Sequence, residues 1–457
     1  MSAEGSFLDA AATAPLRERA RAAMAAVLDG GQANASSVHA PGHRARRFVE
    51  DARNEIARAL GARPSDVVFT SGGTEANNLA VIGLSLANPR GRHLVTTPIE
   101  HPSVLESCRF LERVHGYELS LVPVDGDGRV DPADVAAVLR PDTTLVSVGL
   151  ANAEVGTVQP IVEIGAIVRA SGALMHTDAV QAAASLPLSF ARSSAAAFAE
   201  ASAGTGTCAD AGAERSVGAD RGAAVGPGPG GVRGGEHAVE RAPAWPGEHV
   251  DALTIASHKF GGPQGAGALL VRRNLAIEPI LHGGGQEGGA RSGTENVAAI
   301  AGFAAAVVEA TAAVGARALE TLASRDELVR SVLADVTGAR LTGAPDERLP
   351  GHASFVVAGV SGESLLVALD AAGFAVSSGS ACAAGRDAPS PVLLAMGMSS
   401  ELAQTAIRFT LPGPVDSGRI ERIVGVLRAT AGGADRSRGG TSSRSAAPIM
   451  PPRHSVA

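Results

Sequence analysis

Short apolar runs alternate with longer amphipathic stretches along most of this chain, and that alternation restricts the fold more than any single motif. Val67-Val68-Phe69-Thr70, His93 to Thr97, Leu119 to Val124, Thr144 to Leu150 and Leu174 to Asp178 read as strands. Residues 16–28, Arg46 to Leu60, the run ending at Leu86, Ser103 to His115, Pro132 to Leu139 and Ile161 to Ala170 read as helices. Gln32 to His43 reads as a loop of small and polar residues. Strands separated by helices predict a doubly wound, mostly parallel sheet. Ligands of such sheets sit at the carboxyl ends of the strands. Polar residues gather there: Ser71-Gly72-Gly73-Thr74, Glu100-His101, Asn152 and Asp178.

Lys259 is the only lysine of the 457 residues; every other long basic side chain is Arg. Arg cannot replace an amine nucleophile, because its guanidinium stays protonated. A lysine can lose its proton when partly buried and form a Schiff base with a carbonyl. Ala252 to Ala256 reads as a buried strand before it, and Phe260-Gly261-Gly262-Pro263 as a tight turn after it. Ser257 and His258 lie beside it. The alternative is a lysine left by chance in a GC-rich coding sequence. The strand–glycine–helix step at Gly72 and Gly73 suits a phosphate, through free amides and the helix dipole, or serves turn geometry alone.

The formal net charge is −7, which gives no electrostatic case for nucleic-acid binding. Three widely spaced cysteines, Cys108, Cys208 and Cys382, form neither a disulfide framework nor a paired metal motif. They point to a reducing cytosol and leave room for one working thiol. The N-terminus lacks the basic-then-apolar pattern of a signal peptide. Ala298 to Ala316, interrupted by Glu309, reads as a packed helix and not a membrane span. From Arg192 to His249 periodicity gives way to Ala, Gly, Ser, Pro and Arg, which predicts a disordered surface insertion holding Cys208 and the single Trp245. His282 to Thr294 is a glycine loop, followed by a long helix from about Thr294. A second α/β unit runs from Arg317 to about Thr430. From Gly432 the composition predicts a disordered tail.

TSGGTEANN, EHPSVL, NAEVGTVQP, HTDAVQAA, SHKFGGPQG, HGGGQEGGARSGTEN, SSGSAC and IRFTL occur in this order along one chain. The series resembles the cysteine desulfurases of the class V aminotransferase group, and SSGSAC resembles their group I branch. The match covers about residues 7–190 and 250–430. The resemblance implies the fold of type I pyridoxal-phosphate transferases, with a large domain at 14–315, a smaller α/β domain at 316–431 and an N-terminal segment at 1–13 packing with the smaller domain. It implies conversion of L-cysteine to L-alanine in a cytoplasmic homodimer. Sulfur would pass as an enzyme persulfide to an acceptor such as an iron–sulfur scaffold or a tRNA-thiolation enzyme. No direct contact with nucleic acid or membrane is implied.

The resemblance also assigns residues. Lys259 would bind pyridoxal 5'-phosphate and Asp178 would pair with the ring nitrogen, keeping the ring an electron sink. Gln181 would reach the ring oxygen if a helix begins there. His101 would stack on the ring and shuttle protons. Gly73, Thr74, Ser257 and His258 would hold the phosphate, with Thr294 reaching it across the dimer or capping the helix it precedes. Arg408, helped by Asn34, would clamp the substrate carboxylate. Cys382, in a small-residue loop, would take the sulfur, while Cys108 reads as buried packing. The chain departs from the family pattern at Ala153, Ala256 and Gly288. A selenocysteine lyase, or a weakly active member serving as a binding partner, fits the same motifs.

Overall fold

Strands buried on both faces set the layout. The structure is a computed structural model, and it describes residues 6–31, 33–191, 247, 249–378 and 388–439. β1 (Val67–Thr70), β2 (His93–Thr96), β3 (Glu118–Leu121), β4 (Thr143–Ser147), β5 (Leu174–Asp178), β6 (Ala252–Ala256) and β7 (Gly267–Val271) form one sheet of order β1-β7-β6-β5-β4-β2-β3. Only the pairs made by β7 are antiparallel. β1, β2, β4, β6 and β7 are buried along their whole length, whereas the edge strand β3 is not. Burial on both faces explains why these strands read as unbroken apolar runs and not as alternating ones.

Helices cover both faces: α1 (Glu18–Asp29), α2 (Ala40–Ala59), α3 (Gly73–Asn78), α4 (Leu84–Ala87), α5 (Pro102–His115), α6 (Pro132–Val138), α7 (Ile161–Ser171) and α8 (Val297–Ala312), while the next helix, α9 (Val314–Asp335), packs on the second sheet. A π-helical stretch, Leu79–Gly83, joins α3 to α4. α8 packs against α1 and α2, and Ile56, Phe260, Phe303 and Val307 meet in that core. Among the described residues no single helix is long and apolar enough to cross a membrane. The apolar run at 298–316 is α8 and the start of α9, which bend by 71° from each other.

A second sheet, β10-β9-β8, is antiparallel: β8 (Ala339–Leu341), β9 (His352–Val357) and β10 (Ala406–Thr410). α10 (Gly362–Ala371), the short α11 (Pro391–Ala395) and α12 (Ser400–Ala403), and α13 (Ser417–Gly439) complete this part. Its core joins Phe355, Ile407, Phe409 and Leu427 with Leu8 from the far N-terminus. Phe7 bridges Ala375 and Asp9 bridges Thr410, so the first described residues lie on the second sheet's side.

Several boundaries differ from the sequence reading, notably at three helix ends. α2 begins at Ala40, inside the stretch read as a loop, because His39 caps it and Pro41 sits in its first turn, where a missing N–H costs nothing. α8 begins at Val297 and is capped by Asn296, whose side chain accepts from the Ala299 amide, so Thr294 is not the cap. α13 continues to Gly439, past the Gly432 at which the tail was expected. The remaining tail and, of the insertion expected at 192–249, residues 192–246 and Glu248 lie outside the described residues, as do Cys208 and Cys382.

Candidate active site

The carboxyl ends of β1, β2, β4, β5 and β6 carry the polar residues singled out by the sequence. β6 ends in a single 3-10 turn, Ser257–Lys259, which turns the lysine out of the strand. Lys259 Nζ donates to the carbonyl oxygens of Ala11 and Ala12, the latter at 2.8 Å. His258 Nδ1 lies 3.4 Å from Thr13 Oγ1. Burial first, and the Lys259 charge second, push the His258 imidazole down to about 4.

Asp178 closes β5. Its Oδ1 accepts the Val180 amide at 2.9 Å and its Oδ2 accepts Asn77 Nδ2 at 2.6 Å. Asn77 Nδ2 also donates to Ser103 Oγ at 2.9 Å. Ser103 in turn serves His101, whose Nδ1 accepts the Ser103 amide at 3.1 Å and lies 2.7 Å from Ser103 Oγ. A backbone N–H pointing at Nδ1 fixes the tautomer: the neutral ring carries its proton on Nε2. Burial holds the His101 pKa below the usual histidine range; the Asp178 charge opposes this and the Lys259 charge adds to it. That both charges act on the imidazole brings His101, Asp178 and Lys259 into one electrostatic neighbourhood.

Glu100 lies beneath them. Its carboxyl accepts the Gly149 amide at 2.9 Å and the Thr97 hydroxyl at 2.8 Å. Burial raises its pKa to about 7, against the pull of those hydrogen bonds, with the Asp178 charge adding to the rise.

At the N-terminus of α3, Gly73 and Thr74 lead a helix whose first amides have no intrahelical acceptor. A Cβ on Gly73 would come within 2.9 Å of Val180 Cγ2, so only glycine lets this turn pack on the residues after β5. Ser257 Oγ is fully buried and has no hydrogen-bond partner. Gln181 lies in a turn and not in a helix; its Nε2 donates to the Ala11 carbonyl at 3.1 Å, the same oxygen that Lys259 meets.

Arg408, from the middle of β10, is 2% exposed. Its Nη2 donates to Asp9 Oδ1 at 2.7 Å and its Nη1 to the Ala153 carbonyl at 3.0 Å, while Nε has no partner. The structure does not bring Asn34 to this group: Asn34 is exposed and its Oδ1 accepts the Ser36 amide at 2.8 Å, closing its own loop. Thr294 is also exposed, in the glycine loop ahead of α8. That loop is tied down by Glu287, which takes Arg53 in two hydrogen bonds and the Phe69 amide, and by Arg291 on Glu75 of α3.

Two of the departures from the family pattern can be placed in the structure. Asn152 cannot stand in at the neighbouring position, because its carboxamide braces its own turn: Nδ2 donates to the Ile99 carbonyl and Oδ1 accepts the Glu154 and Val155 amides. Ala153 contributes only its carbonyl, to Arg408. Gly288 has φ +64°, a left-handed conformation that glycine adopts without strain.

Asn77, Ser103 and Asp9 were not singled out as site residues by the sequence. Asn77 and Ser103 lie inside the TSGGTEANN and EHPSVL stretches, and Asp9 sits in the first strand-like triplet. A signal for Ser103 was present: His-Pro-Ser at a helix start places the histidine as cap and the proline in the first turn.

The class V aminotransferase family model matches residues 6–202 and 247–412 of the chain. The gap between the two matched parts coincides with the biased segment. A cysteine desulfurase of the IscS type from Dictyoglomus turgidum is 37% identical over 89% of this chain and 89% of its own length. An IscS-like cysteine desulfurase from Mycobacterium tuberculosis is 39% identical over 89% of this chain and 91% of its own. Among solved structures, a NifS-like protein aligns over 93% of this chain and 98% of its own with a TM-score of 0.75 and 29% identity. A structure described as SspA in complex with cysteine aligns over 90% of this chain and all of its own, with a TM-score of 0.67 and 27% identity.

Proposed function

This chain belongs to the class V aminotransferase family and is a cysteine desulfurase, and from that premise we propose how its residues divide the work. The observation that carries the proposal is that Asp178, linked through Asn77 and Ser103 to His101, and the single lysine follow the carboxyl ends of the adjacent parallel strands β5 and β6. The donor set fits pyridoxal 5'-phosphate. Asp178 offers a carboxylate to a protonated ring nitrogen. Lys259 offers the amine. Thr74, Ser257 and the α3 amides offer donors to a phosphate, and the buried Ser257 hydroxyl still lacks an acceptor. When bound, the cofactor supplies an aldehyde for amines and a ring that withdraws electrons.

Burial keeps His101 in its neutral form with its proton on Nε2, so toward the site it presents an Nε2–H donor, while Nδ1 is taken by the Ser103 amide. Arg408 receives the carboxylate of L-cysteine. The Cys382 thiolate forms a bond to the substrate sulfur as the carbon–sulfur bond breaks, and the carbon ends with a new C–H bond as L-alanine. The enzyme keeps a persulfide, which it delivers to an acceptor such as an iron–sulfur scaffold or a tRNA-thiolation enzyme. We assign the work to a cytoplasmic homodimer, in which Thr294 would help hold the cofactor phosphate of the partner subunit.

The test uses purified protein supplied with pyridoxal phosphate and L-cysteine. With a thiol reductant present to release the persulfide sulfur, equal amounts of alanine and of sulfide are expected; without it, one persulfide sulfur per alanine stays on the enzyme or passes to an acceptor. Release of pyruvate and ammonia in place of alanine would contradict the assignment.

A further inference from the structure

The N-terminal strap, residues 7–14, touches both cations on which the site depends. Leu8 is buried in the second core, and the Phe7 and Asp9 bridges fix the strap on the second sheet's side. The Ala11 amide donates to Thr410 Oγ1 at 2.8 Å, while the Ala11 and Ala12 carbonyls receive Lys259. The Ala14 amide donates to the His258 carbonyl at 2.8 Å. Between these anchors Asp9 turns its carboxylate to Arg408.

Two contacts define the plane of the guanidinium. Asp9 takes Nη2 from one side and the Ala153 carbonyl takes Nη1 from another. An arginine so held cannot rotate about its long stem, and each of its remaining donors points in a fixed direction. Nε, buried with no acceptor, is one of them. A buried donor left unmade is costly, and a ligand oxygen would relieve that cost. A carboxylate met along the Nε edge makes two parallel hydrogen bonds, one to Nε–H and one to the second Nη2 hydrogen.

We propose that Asp9 is the positioning residue of the substrate-carboxylate site. It holds the Arg408 guanidinium so that the Nε edge is left for the carboxylate of L-cysteine. This rests on the reading that Arg408 receives that carboxylate. Asp9 does not touch the substrate; it sets the angle at which Arg408 does. Because Ala11 and Ala12 follow it on the same strap, the spacing between the carboxylate end and the lysine end of the site is fixed by one short piece of chain.

The test is equilibrium binding to the cofactor-loaded full chain, followed by absorbance. L-Alanine is the probe with a carboxylate and ethylamine the probe without one. Asp9→Asn keeps the shape and removes the charge. It should weaken L-alanine binding about tenfold, the loss of one charge-assisted orientation, and leave ethylamine binding unchanged. Asp9→Glu should recover part of the loss. Arg408→Lys should weaken L-alanine by at least as much. If Asp9→Asn leaves L-alanine binding intact while Arg408→Lys weakens it, Asp9 has no positioning role and the Arg408 reading stands. If neither change affects L-alanine, the Arg408 reading falls and the proposal falls with it. Equal weakening of both probes by Asp9→Asn marks a general structural defect and also overturns the proposal. Thermal midpoints of the cofactor-free proteins show independently whether each variant is folded.

Discussion

Asn77 bonds to Asp178 at 2.6 Å with the same amide nitrogen that reaches Ser103 at 2.9 Å. The carboxylate at the end of β5 and the imidazole at the start of α5 are therefore joined through a carboxamide and a hydroxyl. Each link is a short polar group on a different element, α3, α5 or β5. A shift of α3 would change the setting of both.

Asn77→Ala should break this link without touching either end. The Asp178 carboxylate loses a donor that favours its charge, and cofactor affinity should fall about tenfold, the size of one hydrogen bond to a charged group. Equilibrium dialysis of the cofactor measures this. Asn77→Asp sets a second carboxylate beside the first and should lose more. Unchanged affinity in both variants would show that Asp178 needs no support from α3.

Lys259→Ala should remove the visible absorbance that a lysine-bound cofactor gives, while the free cofactor can still enter. The wild-type protein should be yellow after loading. A loaded wild-type protein with no absorbance beyond the free cofactor would rule Lys259 out as the attachment point.

The cysteines should separate cleanly. Cys108 is buried on α5 and its thiol is pushed up to about 12, chiefly by burial, so at neutral pH it stays protonated and inert. Cys108→Ala should keep turnover. Cys382→Ser should still bind L-cysteine but deliver no sulfur, and mass spectrometry after one turnover should find the extra sulfur on the Cys382 peptide. Extra sulfur on Cys108 or Cys208 would refute the assignment.

Stability should fall on both sides of mildly acidic pH. The Glu100 carboxyl is raised to about 7 from 4.5, so the folded state binds its proton more tightly than the unfolded chain does. Its contribution is therefore complete below pH 4.5 and is lost as pH rises to about 7, by about 3 kcal/mol. His176 and His352 are lowered to about 4 and about 3 by burial, so their neutral forms cost stability as pH falls below 6.5. Glu100→Gln should remove the loss on the alkaline side, so that stability rises more steeply between pH 4.5 and 6.5 under the two histidines and no longer falls toward pH 7. Thermal midpoints across pH 4 to 9 test this; a variant with the wild-type slope would place the effect on another group.

The large sheet was legible because its strands are buried on both faces, so Val67–Thr70 and Ala252–Ala256 stand out as apolar runs. Lys259 was legible because nothing else in the chain is a lysine. The supports were not. Asp9 and Arg408 are separated by 399 positions, Asn77 and Asp178 by 101, and one Asp or Asn carries no mark of a partner that far away. The start of α2 was hidden for the opposite reason: Pro41 and Gly42 suggest a loop by type, and only their place behind a capping His39 makes them helical.

Arg272 ties together the two sides of the compositionally biased segment. Its Nη1 donates to the Phe190 carbonyl at 2.7 Å, its Nη2 to the Gly247 carbonyl and its Nε to the Val250 carbonyl at 3.1 Å. The two ends are so close that a Cβ on Gly247 would lie 2.1 Å from the Ala191 oxygen. The cost of closing such a loop grows only slowly with its length, and here the closure is made by an arginine that belongs to neither end. Position 191/247 is thus a port: the chain can gain or lose sequence there without altering the distance the fold must span. Residues 192–246 should be replaceable by a short glycine–serine linker or by an inserted domain with adjacent termini.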